Sequence, residues 1–566
     1  MKVLIINFHG LGFPGGVQSV VNTLIKNTPA KKRVGYRALC AGNKKFEKVK
    51  ASGIIEYKSS DLGKKCKKKE LKTTLQKVWE EFMPDIIYSH NLTYMFESKK
   101  AQVIFNFFKN KGCVMIEHAH HAYSRRKQRC AKGLNFKWNK IIVVSKYAYK
   151  KISPIVKNKS IIEIVPNSIN LNYFSKKRIT ALKKKRLSKN FCFVFPSRTI
   201  RISTGEIGEQ KQFLTVIKSL SKLKKTYKKQ FNLFIPHLGV FGSRSSKGER
   251  LLKAKLKKYD ILKETIIYPK RLLQKDMIEF YAQGDAVLFP SLGESFGLVT
   301  IEAQGCGLPV IVADSGASSE LVKNNYNGLI VKPKSVTQLA NAMNHLMNNK
   351  MDYDKIVSNG LKTVKKYSSK AHAQEIISIF NKFPKKQTIF LIRHGQTILN
   401  KRGVYSGQIQ TTLTKKGIGQ AKKIREFFSN KKIDTIYCSP LIRTRKTAEI
   451  IFGNKKFIYS NLLKEIDVGL AGGKTNKEVK LEFPNLKRKN GSIVSYPGGE
   501  SHRDLENRIK PFLKRIRANT TAIVAHESVN RMILALVLEE PFQKVPRHRN
   551  NEVVIIRGKS FERIAF

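Results

Sequence analysis

Short apolar runs that stop at a glycine or a polar residue and give way to a helical pattern recur along almost the whole chain. This alternation limits the fold more than any other feature. Near the centre the chain reads AVLFP and then, over residues 290–310, PSLGESFGLVTIEAQGCGLPV: a buried strand, a glycine-broken turn and the start of an apolar helix. The same order opens the chain, with residues 1–7 as a strand, Gly15 and Gly16 as the turn, and VQSVVNTLI as a helix. Further strands are predicted at 85–88, 114–117, 141–144 and 161–165. After the lysine-rich connector KKRITALKKKRLSKN the pattern restarts with FCFVFPSR at Phe191 and continues through FNLFIP, ETIIYP, DAVLFP and LPVIVA into a helix-rich segment, 335–382. A third start follows Pro384, Lys385 and Lys386. Strands that are apolar throughout, separated by helices, predict an α/β chain of parallel sheets covered on both faces. The 566 residues give room for three such units, 1–185, 186–383 and 388–566.

The central stretch carries chemistry as well as architecture. Its order places the backbone N–H groups of Phe296, Gly297 and Leu298 at a helix N-terminus, where unpaired donors and the macrodipole favour a phosphate. Glu294 stands in the turn and Glu302 in the helix, eight residues on, where carboxylates accept hydrogen bonds from sugar hydroxyls. A nucleotide sugar fits that arrangement; an ordinary strand-turn-helix with acids on a wet face is the plainer reading. The stretch resembles the E-x7-E element, with its following GxxPV turn, of retaining glycosyltransferases of the GT-B fold, family 4. That resemblance implies two Rossmann-like lobes, with Glu294 facing the donor sugar and Glu302 holding the nucleotide ribose. PDIIYSHN, IIVVSKYAYK and EIVPNSINLNYF resemble the first lobe of the same family, although Ser168 stands where the family usually has glycine. The glycine turn before the first helix is the entry of a doubly wound unit, with Gly16 expected among the donor- or phosphate-binding residues, and the family grips the donor diphosphate with an Arg and a Lys, here Arg198 and Lys211. His118, in the HAHH run, is expected to contact the acceptor. No ligand set is spaced for a metal around that run, and the D-x-D triplet of Asp352 and Asp354 reads as a helix cap or surface acids.

A second centre begins at TIFLIRHGQTILN, residues 388–400, an apolar strand ending in Arg393 and His394. SPLIRTRKTAEI, LLKEIDVG, PGGES and TAIVAHES follow, and in this order all of them resemble the histidine phosphatases, or phosphoglycerate-mutase-like proteins. Transfer of a phosphomonoester dianion requires a nucleophile, cationic clamps on the nonbridging oxygens and a proton for the leaving oxygen. The resemblance implies that His394 attacks phosphorus, that Arg393, Arg443 and His526 bind the phosphoryl oxygens with help from Asn400, and that Glu465 is the general acid. Two departures stand out: Glu527 follows His526 where the family usually has glycine, and LAGGKT lacks a tryptophan and an acid. The unit is also short for a mutase, which favours a phosphatase.

Composition adds limits. The 109 basic residues against 40 acidic ones give +69, but the lysines are spread over the whole length, and the dense block KKCKKKELK at 64–72 has no interleaved aromatics. No specific nucleic acid is therefore expected, and peripheral docking on anionic lipid is the partner that this block suggests. No apolar run reaches the ~18 residues of a membrane span, and the seven cysteines include no CxxC pair. The expected picture is a cytoplasmic bifunctional enzyme without a tightly bound cofactor. Its expected partners are a nucleotide-diphosphate sugar, a saccharide or phosphorylated acceptor, and a phosphomonoester. A nucleotide-sugar epimerase or phosphorylase of the same fold, or a docking protein with one inactive half, are the alternatives.

Overall fold

The computed structural model describes the chain apart from residues 12–15, 31–33, 45, 63–67, 97, 122–131, 198–208, 237–243, 269–275, 384–386, 487, 490–491 and 494. Two compact units result, Met1–Asn106 with Val114–Phe383, and Phe107–Cys113 with Pro384–Phe566.

The first unit holds two sheets. Strands β1 (Lys2–Ile6), β2 (Gly35–Ala41), β3 (Glu47–Ala51), β4 (Ile54–Ser59), β5 (Ile86–His90), β6 (Val114–Ala119), β7 (Lys140–Val143) and β8 (Ile162–Ile164) line up in the order β3-β4-β2-β1-β5-β6-β7-β8. All neighbours are parallel except the β3/β4 edge pair. The second sheet is wholly parallel and follows the doubly wound order β11-β10-β9-β12-β13-β14. Its strands are β9 (Phe191–Val194), β10 (Phe231–Ile235), β11 (Thr265–Ile267), β12 (Ala286–Phe289), β13 (Val310–Ala313) and β14 (Leu329–Val331).

Helix packing follows from the apolar spacing. In the helix Phe213–Tyr227, Phe213, Val216, Ile217, Leu220 and Leu223 fall on one stripe, and all are buried against Phe193, Phe195 and Leu233 of the second sheet. Each such side chain contributes about 1.5–3 kcal/mol on burial. The last helix of the unit, Ser369–Asn381, returns to the first sheet, where Ala373, Ile376, Ile379 and Phe380 share a core with Val3, Ile5, Tyr88 and Ile116. Asp352 and Asp354 lie in the exposed opening of the helix Lys350–Val364, whose N-cap is Asn349, and they pair with His345 and Lys350. They are surface acids.

The second unit is built on a mixed sheet, β17-β16-β20-β15-β21-β22, made of β15 (Thr388–Arg393), β16 (Thr435–Cys438), β17 (Ile458–Tyr459), β20 (Thr520–Ala525), β21 (Glu552–Arg557) and β22 (Ser560–Ala565). A two-stranded ribbon, β18 (Arg488–Lys489) and β19 (Ser492–Ile493), stands apart from it. The four inner and edge strands up to β15 are parallel, and β21 and β22 add an antiparallel hairpin. Among the described residues no helix is long and apolar enough to cross a membrane.

Candidate active sites

In the first unit the candidate residues gather where ligands of open α/β sheets bind, beyond the carboxyl ends of strands that flank a change in strand order. β9 and β12 are such neighbours. Lys211 comes from the loop after β9, Glu294 from the turn after β12, and the two side chains form an ion pair. Ser291 Oγ donates to the same Glu294 oxygen at 2.6 Å, which fixes the carboxylate over the turn. The helix Leu298–Gly305 then begins, and its first backbone bond, Thr300 N to Gly297 O at 2.9 Å, leaves the N–H groups of Phe296, Gly297 and Leu298 ahead of it. Gly297 has φ +93°, and a Cβ there would lie 2.6 Å from Ser318 Oγ, so the turn requires glycine. Glu302 is turned inward and accepts a 2.8 Å bond from the Tyr281 hydroxyl; burial pushes its carboxyl up to about 7. Gly16 opens the first helix, Gly16–Asn27, after β1. Arg198 and the loop that follows it lie outside the described residues, as does Gly15.

The first sheet brings together more histidines than the HAHH run alone. His90 ends β5 and is in register with His118 of β6. Tyr88 OH and His118 Nδ1 are 2.6 Å apart, His90 Nδ1 and His120 Nε2 share a hydrogen bond of 2.9 Å, and Asn91 Oδ1 accepts from His120 N–H. Nitrogens of His90, His118 and His120 lie within 4.8 Å of one another, a set of the kind that can hold a metal ion. Burial lowers all three imidazoles, His90 to about 3, so they stand neutral with Nε2 of His90 and His118 unpartnered. His372, on the returning helix, adds a fourth neutral ring beside His118, with its Nδ1–H donated to Pro166 O. Neutral imidazole edges at strand ends can donate to or accept from hydroxyls. His90 was hidden from sequence reading because its neighbour in space is 28 residues away.

In the second unit the site is a cavity of about 340 Å³ whose lining includes Arg393, His394, Asn400, Arg443, Glu465 and Glu527. β15 delivers Arg393 and His394; His526 follows β20 directly beside it. Gly395 lets the loop press on the helix Lys415–Phe428, since a Cβ would sit 2.4 Å from Gly417 O. The His394 Nδ1–H donates to Gly395 O at 2.8 Å, which fixes the tautomer and leaves Nε2 with its lone pair. Burial, then the charges of Arg443 and Arg393, hold His394 well below its ordinary range, so the ring is neutral. His526 is neutral for the same first reason, with Nε2 bonded to Ser439 Oγ at 2.9 Å and Nδ1 unpartnered.

The two arginines are anchored by their far ends. Arg443, 1% exposed, donates to Ile409 O and Gly407 O at 2.8 and 2.6 Å, and Arg393 donates to His548 O at 2.8 Å. The Nε donor of each remains buried and unspent. Desolvating a guanidinium as deeply as that of Arg443 is costly, and a phosphoryl dianion would offset that cost. Glu465 receives the Ile466 N–H at 2.9 Å, and burial raises its pKa. Arg508 holds the Glu465 segment through Leu462 O and Glu465 O while gripping Glu500 with two bonds, 2.7 and 2.9 Å. Asn400 spends its Oδ1 on the Thr397 N–H in a capping box, so its amide NH2 is what remains toward the cavity. Ser439, Arg508, His548 and Asn550, whose Nδ2 donates to His394 O, were not singled out by sequence reading, because each acts through backbone or another side chain.

Known proteins match both units. The description "Glycosyl transferases group 1" matches residues 189–363, and "Histidine phosphatase superfamily (branch 1)" matches residues 389–562. A 6-phosphofructo-2-kinase/fructose-2,6-bisphosphatase of Caenorhabditis elegans is 24% identical over 261 residues, which are 43% of this chain and 56% of that protein; the chain spans about half the length of that relative. Phosphoserine phosphatase 1 of Hydrogenobacter thermophilus is 34% identical over 149 residues, 25% of this chain and 71% of the relative. Anabaena HepE, solved in complex with UDP and glucose, superposes with a TM-score of 0.54 at 19% identity over 68% of this chain and all of its own (100%). That last likeness carries the GT-B fold. The first unit therefore has the GT-B fold and carries the glycosyl transferase match over residues 189–363, and through its C-terminal domain the chain belongs to the histidine phosphatase superfamily.

Proposed function

We propose that the chain runs two reactions: transfer of a sugar, with retention, from a nucleotide-diphosphate sugar to an acceptor, and hydrolysis of a phosphomonoester through a phosphohistidine. The observation that carries the second is the neutral His394 with Nε2 free beside Arg393 and Arg443, whose Nε donors are buried and unspent. An ester phosphoryl group seated on Arg393, Arg443 and His526 presents phosphorus to His394 Nε2. Glu465, whose pKa is raised by burial, gives its proton to the departing alcohol. Water then attacks phosphorus, Glu465 takes the proton back, and inorganic phosphate leaves. A rapid quench with radiolabelled phosphoserine or a sugar phosphate should trap an acid-labile, base-stable label on His394, and a label absent from every substrate tried would sink the scheme.

For the transfer half, support comes from the Lys211–Glu294 pair at the change in strand order and from the HepE complex with UDP and glucose. Lys211 and the Phe296–Leu298 N–H groups receive the diphosphate, Glu294 the sugar and Glu302 the ribose; the imidazole edges of His118 and His90 face the acceptor. The donor phosphate serves as the local base, and neither a cofactor nor a metal is given a step. Surface glycan or glycoconjugate synthesis in the cytoplasm, with peripheral contact to anionic lipid, is the setting that fits these substrates. UDP, GDP, ADP and CMP sugars tested for protection against thermal unfolding identify the donor. Nucleotide release that requires an acceptor, with an α-linked product from an α-donor, supports retaining transfer; release of nucleotide without acceptor, or a C4-epimerised sugar, overturns it.

A further inference from the structure

Glu527 is the one acid in the phosphatase cavity to which the proposed phosphohistidine chemistry gives no work, and it stands next to His526. A carboxylate so close to a phosphate site would repel the substrate unless its charge were taken up. It does not turn out to solvent: its side chain is 22% exposed, and it lies 3.4 Å from Arg393 NH1, 3.6 Å from Arg547 Nε and 4.0 Å from Arg531 NH1. Arg531 is itself held in place by Val545 O and Phe542 O and is nearly buried. Arg547 is 74% exposed at the rim. The cavity thus lines up four arginines, Arg393, Arg443, Arg531 and Arg547, with Glu527 set among three of them.

The charges can be assigned. The phosphoryl dianion is matched by Arg393 and Arg443. Arg531 and Arg547 would make a second anion site next to it, and Glu527 occupies the space between them and Arg393. We propose that Glu527 sets the leaving-group specificity of this pocket: it closes the second anion site, so the pocket takes a phosphomonoester whose alcohol offers hydroxyl or ammonium donors and turns away one that carries a second phosphate. The inference rests on the phosphatase reading above. It places this chain away from a bisphosphatase and toward esters with a single phosphoryl group.

The test uses the full chain with p-nitrophenyl phosphate as the reporter, and fructose 6-phosphate and fructose 1,6-bisphosphate as competing ligands. Their Ki ratio is the readout, because a general loosening of the pocket moves both constants together. The wild type should hold the monophosphate more tightly. Glu527→Gln should shift the ratio toward the bisphosphate by about tenfold, the scale of one removed like-charge contact, while Glu527→Asp keeps the wild-type preference. Arg547→Ala, at an exposed site that does not endanger folding, should shift the ratio the other way, since Glu527 is then less neutralised. A Glu527→Gln ratio within twofold of wild type, or an Arg547→Ala shift toward the bisphosphate, overturns the proposal. Loss of p-nitrophenyl phosphate hydrolysis in the wild type itself would instead remove the phosphatase reading on which it stands.

Discussion

Under the proposed reactions phosphate is handled at two places, which are alike in architecture and different in electrostatics. Both lie beyond the carboxyl ends of adjacent parallel strands, β9 and β12 in one case, β15 and β20 in the other. At the first, Lys211 from the loop after β9 is already paired with an acid, Glu294, and the other proposed phosphate donors are backbone N–H groups on a glycine-dependent turn. At the second, Arg393 and Arg443 are tied by their far ends to carbonyl oxygens and keep a buried Nε unspent, and Arg393 lies in addition 3.4 Å from Glu527. A site that must release its nucleotide can rely on dipoles and a shared lysine. One that forms a bond to phosphorus needs full charges fixed before the substrate arrives.

Four experiments break or sharpen this contrast. The largest effect should come from His394→Ala, which lowers phosphomonoester hydrolysis by about 10⁴-fold or more while sugar transfer persists; if both activities fell together in a folded protein, the two sites would not be independent. Glu465→Gln should cost about 10³-fold on an unactivated alkyl phosphate and far less on p-nitrophenyl phosphate, whose leaving group needs no proton. Because burial raises the Glu465 pKa, the wild-type rate on the alkyl ester should fall as pH rises through that raised value, and the Gln variant should lack this limb. Lys211→Ala is expected to reduce nucleotide-sugar turnover by about 10²-fold and to leave p-nitrophenyl phosphate hydrolysis untouched. The smallest effect is on stability. Glu302 has its carboxyl raised from 4.5 to about 7 in the folded chain, so its contribution is complete below 4.5 and is lost as pH rises through 7. Wild type minus Glu302→Gln should therefore lose up to about 3 kcal/mol across that window, read as a Tm difference that widens with pH.

The parts of the fold that sequence reading reached are those with an unambiguous burial pattern. β5, β6, β12 and β13 are buried throughout; β12 and β13 read as unbroken apolar runs and β5 and β6 open on apolar residues before polar ends, which is why the parallel α/β class was legible. β3, with its sequence EKVKA, alternates exposed and half-buried residues at a sheet edge, and nothing in such a run distinguishes it from a polar loop. The β21/β22 hairpin also went unread. The RHGxTxxN phrase was readable because nucleophile and clamp are adjacent in the chain. Glu465 and Arg443 came only with the resemblance, and the fold alone brings them to the same cavity. The effect of Glu527 was beyond reach, since its three arginines come from residues 393, 531 and 547.

The return of the helix Ser369–Asn381 has a practical consequence for anyone dissecting the chain. The glycosyltransferase match ends at residue 363, ahead of this helix, whereas Ile376, Ile379 and Phe380 fill the core around Val3, Ile5 and Tyr88. A fragment cut where the match stops would leave the opening strands with a bare apolar face, and it should be recovered as aggregate. The first sheet waits for residue 380 before its core is whole.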